Sequence, residues 1–174
     1  MIGLKFLGKI IKAIKSASSP TQIAGGFILG MLIGLISLKS LISAVVLILI
    51  IILNVNVAMA AAGYAIFRLI AWLVDPWLHS LGYLILVDLE SLREAWTYIY
   101  AVPVVSFTRF NNTIVMGGLA VSAVIIVPLY ILMKKFVLLY RERWADKIQR
   151  WKIVQVVKGS KIFEWVGRIT RIGA

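Results

Sequence analysis

The chain reads as an all-α, polytopic membrane protein of about four spans, with amphipathic interfacial helices at both ends. Three observations lead there. Hydrophobic residues make up 61% of the 174 and charged residues 15%, against about 45–50% and about 25% in a soluble domain. Charges are absent from residues 17–38, 40–67 and 110–133, and each run exceeds the roughly 18 apolar residues that suffice for a membrane-crossing helix. Of nineteen basic residues, four lie at Lys5, Lys9, Lys12 and Lys15 and eleven from Lys134 onward. That distribution predicts both termini on the cytoplasmic side.

The net charge of +12 is thereby assigned to membrane surfaces, and no nucleic-acid partner is expected. The chain has no cysteine, which excludes disulfides and thiolate metal sites. Its basic, then apolar start resembles a signal peptide, but the candidate cleavage site Ala58-Met59-Ala60 lies too deep in the chain, so the apolar stretch reads as permanent membrane helix.

Residues 1–17 form the first amphipathic helix. At about 100° per residue, Lys5, Lys9, Lys12 and Ser16 share one face, while Leu4, Phe6, Leu7, Ile10, Ile11 and Ile14 fill the other. Such a segment lies flat in the cytoplasmic interface with its lysines toward anionic headgroups, or packs on a partner protein. Residues 18–133 form the transmembrane domain, with spans expected at about 20–38, 41–53, 57–74 and 112–133. Ser19 caps the first span, and Pro20 takes the first helical position, where no donor is needed. Gly26, Gly30 and Gly34 follow at four-residue intervals, a side-chain-free stripe for close helix packing. The partner is either a helix of the same chain, the next one being the first candidate, or another subunit. After the break Ser37-Leu38-Lys39-Ser40, residues 41–53 are short for a crossing, so the first two segments form either a complete hairpin or a re-entrant one.

Asn54 and Asn56 turn the chain into the third helix, which Asp75-Pro76 is expected to end. The periplasmic-side segment 75–111 is less basic and carries Trp77, Tyr83, Trp96, Tyr98 and Tyr100, as an aromatic membrane interface does; residues 81–87 are candidates to dip into the membrane. The last span contains a second small-residue region around Gly117 and Gly118 and an expected kink at Pro128, and Lys134-Lys135 stop it. Residues 134–174 form a basic amphipathic cytoplasmic tail, with Tyr140, Trp144, Ile148 and Trp151 at helical spacing.

Few residues could carry chemistry. His79 is the only histidine, so a two-histidine zinc site within one chain is excluded, and a Ser-His-Asp triad would have to rest on it beside Asp75. An interfacial polar residue is the plainer reading, and Glu90 with Glu94 reads as a solvated helix face. No P-loop or GxGxxG follows a strand. No catalytic residue, metal or cofactor is expected. Arg68 is the one charge within an apolar helix, a functional candidate by default. Either it joins Asp75, Asn54 and Asn56, with Gln22 and Lys39, in a polar path or lipid contact, or it snorkels to an outer boundary about 10 Å away at 1.5 Å per residue.

Several strings together carry a resemblance: Ser19-Pro20, the Gly26, Gly30, Gly34 ladder, the apolar run ending at Asn54-Val55-Asn56, Asp75-Pro76 followed by Leu81-Gly82-Tyr83, and Thr108-Arg109-Phe110-Asn111-Asn112-Thr113. In this order they resemble a family of small, uncharacterised membrane proteins of outer-membrane-bearing bacteria, a branch of a broad membrane family of unknown function. The string at 108–113 is its most specific part. One departure is Ser37, where such families usually carry proline. The resemblance implies one half of a two-gene pair whose other member is a larger envelope protein with a membrane anchor.

The expected function is a non-enzymatic inner-membrane subunit that anchors or assists that envelope protein, in lipid transport between the membranes. Trp77, Arg109, Asn111 and Asn112 are its candidate partner surface; membrane lipids are the other partners. The alternative is an autonomous small-solute or lipid transporter, oligomeric because four short spans cannot enclose a pore alone.

Overall fold

The computed structural model describes Ile10 and residues 18–144; within them the chain is all-helical and contains no strand. Six helices follow in order: α1 (Pro20–Ile36), α2 (Leu41–Ile52), α3 (Val57–Tyr83), α4 (Glu90–Tyr100), α5 (Pro103–Ser106) and α6 (Thr113–Leu139), with π-helical turns at Leu84–Asp88 and Tyr140–Trp144. One compact unit ends at Val137, and a second begins at Leu138. The amphipathic helix expected over residues 1–17 and the tail beyond residue 144 lie outside the described residues.

Local chemistry sets the helix starts. Ser19 and Gln22 form a capping box: the Gln22 N–H donates to Ser19 Oγ (3.2 Å) and the Ser19 N–H to Gln22 Oε1 (2.8 Å). Ser40 accepts from the Ser43 N–H at 3.2 Å, and Asn56 from the Met59 N–H at 3.0 Å. Asn112 accepts from Ile114 and Val115 at 3.0 and 3.2 Å. Each bond satisfies an N–H that the first helical turn leaves open.

Helix α1 is apolar all round, and it lies at the centre of the bundle with ten of its 17 residues buried. Its glycine stripe faces α3. A methyl group on Gly26 would overlap the Asn56 carbonyl and one on Gly30 the Ala60 carbonyl; one on Gly34 would lie 2.9 Å from Phe67 Cβ and 3.1 Å from the Arg68 nitrogen. Gly63 returns the contact against the Phe27 carbonyl. Since rising positions on α1 meet rising positions on α3, the two helices run parallel. The stripe's partner is thus the helix after next. The reason lies in side-chain size: Leu41–Ile52 is almost entirely isoleucine, leucine and valine, whereas α3 begins with Ala58, Ala60, Ala61, Ala62 and Gly63, small enough for backbones to touch.

Helix α6 returns antiparallel to α3. Gly82 abuts the Thr113 carbonyl, Gly117 abuts the Leu78 carbonyl, and a methyl on Gly118 would lie 2.8 Å from the Leu35 oxygen. Ile28, Met31, Leu35 and Ala71 form the core on the α6 side, covered by Val121, Ile125 and Leu129. On the opposite side α2 closes over Ile33 and Ala60 with Val46 and Ile50. Two flanking helices thus sandwich a parallel pair.

Two expected boundaries shift. Asp75-Pro76 does not end the third helix, which continues to Tyr83 with Pro76 inside it. Proline removes one backbone hydrogen bond, but buried Leu78 and Gly82 keep the helix pressed on α6, and Ser80 Oγ donates to the Pro76 carbonyl at 3.0 Å. Residues 81–83 therefore belong to α3. Likewise α6 runs past Lys134-Lys135 to Leu139; lysine is a good helix former, and its charge opposes burial in lipid, not helicity.

At 1.5 Å per residue, α3 and α6, with 27 residues each, are about 40 Å long, while α1 (17) and α2 (12) measure about 25 and 18 Å. The α1–α2 hairpin consequently reaches only partway along α3, and its apex is level with Arg68 and Ala71.

Candidate functional site

The polar residues singled out from sequence fall into three places along α3. At its base, Asn56 accepts the Met59 N–H, its Nδ2 donates to Ser18 Oγ (3.0 Å), and its own N–H donates to the Gln22 carbonyl (3.1 Å). Gln22 Nε2 in turn donates to the Asn54 carbonyl at 3.1 Å. Asn54, with φ 48°, occupies the left-handed region that asparagine tolerates in turns. Gln22, Asn54 and Asn56 are therefore brought together as fasteners of two parallel helix ends. Arg68 lies twelve residues beyond Asn56, about 18 Å along the helix, and Asp75 about 10 Å further, so Arg68 and Asp75 do not join this cluster.

The second place is the hairpin apex. Ser37 has φ 149°, backbone that a proline ring cannot adopt; the family-typical proline would not fit this turn. The Ser37 carbonyl accepts from Ser40 Oγ at 3.3 Å and also from Ser43 Oγ, and both of these serines are buried. A fold-back of the chain after α5 covers the apex: the Leu41 N–H donates to the Phe107 carbonyl at 2.9 Å. The string 108–113 climbs from this contact to the start of α6. Within it Phe110 is 7% exposed, its ring 5.9 Å from those of Trp96 and Tyr100, while Arg109 is exposed and has φ 58°. For a residue with a Cβ the left-handed region costs about 1–2 kcal/mol.

Around this apex stand three exposed cations, Lys39, Arg68 and Arg109. The longer α3 changes the position of Arg68. It sits 15 residues before Tyr83, about 23 Å at 1.5 Å per residue, and 11 after Val57, about 17 Å, near the middle of the helix. Its neighbours Leu69, Trp72 and Leu73 are exposed and apolar.

The third place is the top. His79 Nδ1 and Thr113 Oγ1 share a hydrogen bond of 2.6 Å that ties α3 to α6, and Trp96 Nε1 donates to the Ile85 carbonyl at 3.0 Å. Trp77, Asn111 and Asn112 are exposed, as is Arg109 nearer the apex, although the Asn112 side-chain oxygen is engaged as a cap. Asp75 Oδ1 and Ser122 Oγ are buried without a hydrogen-bond partner. Among the described residues no three His, Cys, Asp or Glu side chains come together to hold a metal ion.

Sequence reasoning missed the apex serines, the Phe107 seat and the Gly82–Gly117 pairing. Ser40 and Ser43 carry the spacing of a cap, a signal that was readable; the Phe107 contact joins positions 66 residues apart and had none.

Fold and site together define a small all-helical protein with two stretches, Val57–Asp88 and Thr113–Glu142, long and apolar enough to cross a membrane. Within that class, the chain belongs to the family described as "Uncharacterized protein conserved in bacteria (DUF2062)", whose model matches residues 4–145. It is similar to an uncharacterized protein of Treponema pallidum (strain Nichols), with 24% identity over 159 residues, covering 91% of this chain and 98% of the relative. No solved structure matches the chain.

Proposed function

We propose that this protein is a multi-pass inner-membrane subunit, non-enzymatic, that anchors or assists a larger envelope protein in moving lipid between the inner and outer membranes. The bundle supports the topology. A hairpin leaves the chain on the side where it began, and α3 and α6 then run antiparallel, so the start of α1 and the far end of α6 lie toward the same end of the bundle whether or not the hairpin crosses. The basic ends assign that side to the cytoplasm.

The observation that carries the functional reading is the surface above the bundle. Trp77 is 71% exposed, Tyr98 80% and Phe107 70%; Trp77 stands on α3, which is packed backbone to backbone, and the other two on the adaptable segment that follows it. Exposed aromatic residues of this kind suit an interface, whether with headgroups or with a partner's anchor. Of the residues that the transporter reading would use, Asn54 and Asn56 are engaged in fastening helix ends.

Affinity purification of the tagged protein from native membranes in mild detergent, with mass spectrometry of what remains bound, tests the proposal. A larger envelope protein in fixed ratio is expected. A homogeneous preparation of this chain alone would overturn it.

A further inference from the structure

We infer that Lys39, Arg68 and Arg109 form a site for a phosphate-bearing anionic headgroup at the apex of the α1–α2 hairpin. The inference rests on the membrane reading above, not on the existence of a protein partner.

Three separate elements bring these cations to one place. Arg68 belongs to the turn of α3 that touches Gly34, its backbone nitrogen 3.1 Å from where a Gly34 methyl would stand. Residues four apart share a helix face, so Arg68 continues the face on which Tyr64 packs against α2, one turn higher and beside the start of that helix. Lys39 is in the apex turn itself. Arg109 follows two residues after Phe107, whose carbonyl is bonded to Leu41, two residues after Lys39; two residues of chain span at most about 7 Å. Long basic side chains rooted so closely can converge on one ligand through their flexible stems.

The charge balance calls for an anion. All three side chains are exposed, and none makes a hydrogen bond or ion pair with another described residue. Asp75 stands two turns further along α3, and its Oδ1 accepts no hydrogen bond. Three like charges at mid-height of an apolar bundle repel one another and are poorly solvated. Arg68 is about 17 Å from one end of α3 and about 23 Å from the other at 1.5 Å per residue, flanked by exposed Leu69, Trp72 and Leu73. The apex is open at its flank, and there a lipid phosphate is the anion at hand. Guanidinium groups bind phosphate in a bidentate manner, and an ammonium adds a point charge.

Backbone strain provides independent support. Two of the three non-glycine residues with positive φ, Ser37 and Arg109, flank this spot from different elements. Glycine would relax the Arg109 backbone, yet the position holds an arginine; outliers of this kind concentrate at ligand sites.

The test uses the full-length protein in a neutral detergent and measures thermal shift and affinity with three probes: short-chain phosphatidylglycerol, short-chain phosphatidylcholine and inorganic phosphate. Phosphatidylglycerol is expected to bind and phosphatidylcholine to bind far less. Each of Lys39→Gln, Arg68→Gln and Arg109→Gln should weaken binding about five-fold, the contribution of one cation near an anionic lipid, while Arg68→Lys retains most of it. Arg109→Gly separates charge from fold, since it should hold or raise the melting temperature while losing the same affinity. If inorganic phosphate binds equally well and competes, the site takes a free anion and the lipid assignment is wrong. If the Gln variants bind as well as the parent, or phosphatidylcholine matches phosphatidylglycerol, the whole inference falls. A copurifying partner is a separate observation, so this result stands or fails without it.

Discussion

Between α1 and α3 backbone meets backbone, with Gly30 against the Ala60 carbonyl and Gly63 against that of Phe27. In the segment from Leu84 to Asn112, contact is made by side chains instead: α4 and α5 bury no residue, and Phe110, wedged between Trp96 and Tyr100, is the one buried residue there. The first kind of packing has one solution, because a carbonyl cannot move aside without moving its helix. The second tolerates rearrangement, because rings and amphipathic helices can turn. The difference teaches where specificity of fold and adaptability of surface reside in this molecule, and substitutions in each region can break or sharpen it.

The largest effect is expected from Gly30→Leu. No flexible group lies in the way that could yield, so at least about 3 kcal/mol should be lost, and the protein should fail to elute as a single species from mild detergent. If it remained monodisperse with an unchanged melting temperature, the parallel α1–α3 pair would be wrong. Asn56→Ala removes the α3 cap together with the bond to Ser18, and about 1 kcal/mol should go, as a lowered midpoint in denaturant with the oligomeric state intact. Trp96→Phe deletes the bond to the Ile85 carbonyl for about 0.5–1 kcal/mol. That loss should be local, read as faster amide exchange at 85–100 with the bundle's protection unchanged; a global change would mean that the cap is part of the core. Gly25→Ala should do least. Its methyl would meet only Val55 Cγ1, at 3.2 Å, a side chain that can rotate, so helix propensity decides the outcome and the midpoint should hold or rise by a few tenths of a kcal/mol up to about 1 kcal/mol. A large drop there would show the two faces of α1 to be less distinct than they are drawn.

What was legible in the sequence follows the range of the interactions. The starts of α1 and α3 could be read because Ser19 and Asn56 act within three residues of themselves. The glycine stripe announced a close contact, but the next helix was the first candidate for it, and the size of the side chains on α2 and α3 decides for α3. The end of α3 was misplaced because Pro76 is a local signal overruled by Leu78 and Gly82 packing on α6. The seat of Phe107 on Leu41 is a pairing across about half of the described chain, with no periodicity to announce it.

The parallel alignment of α1 and α3 also bears on how the molecule is made. Gly30 leaves the ribosome 33 residues ahead of Gly63, about 2–7 s at usual elongation rates of roughly 5–20 residues per second. For that interval the most demanding surface of the protein has no mate, and α2, too bulky to enter the groove, is the helix that keeps it company. The hairpin is thus a waiting state built into the order of synthesis, and its bare glycine edge is the feature that insertion machinery or a neighbouring chain would meet first.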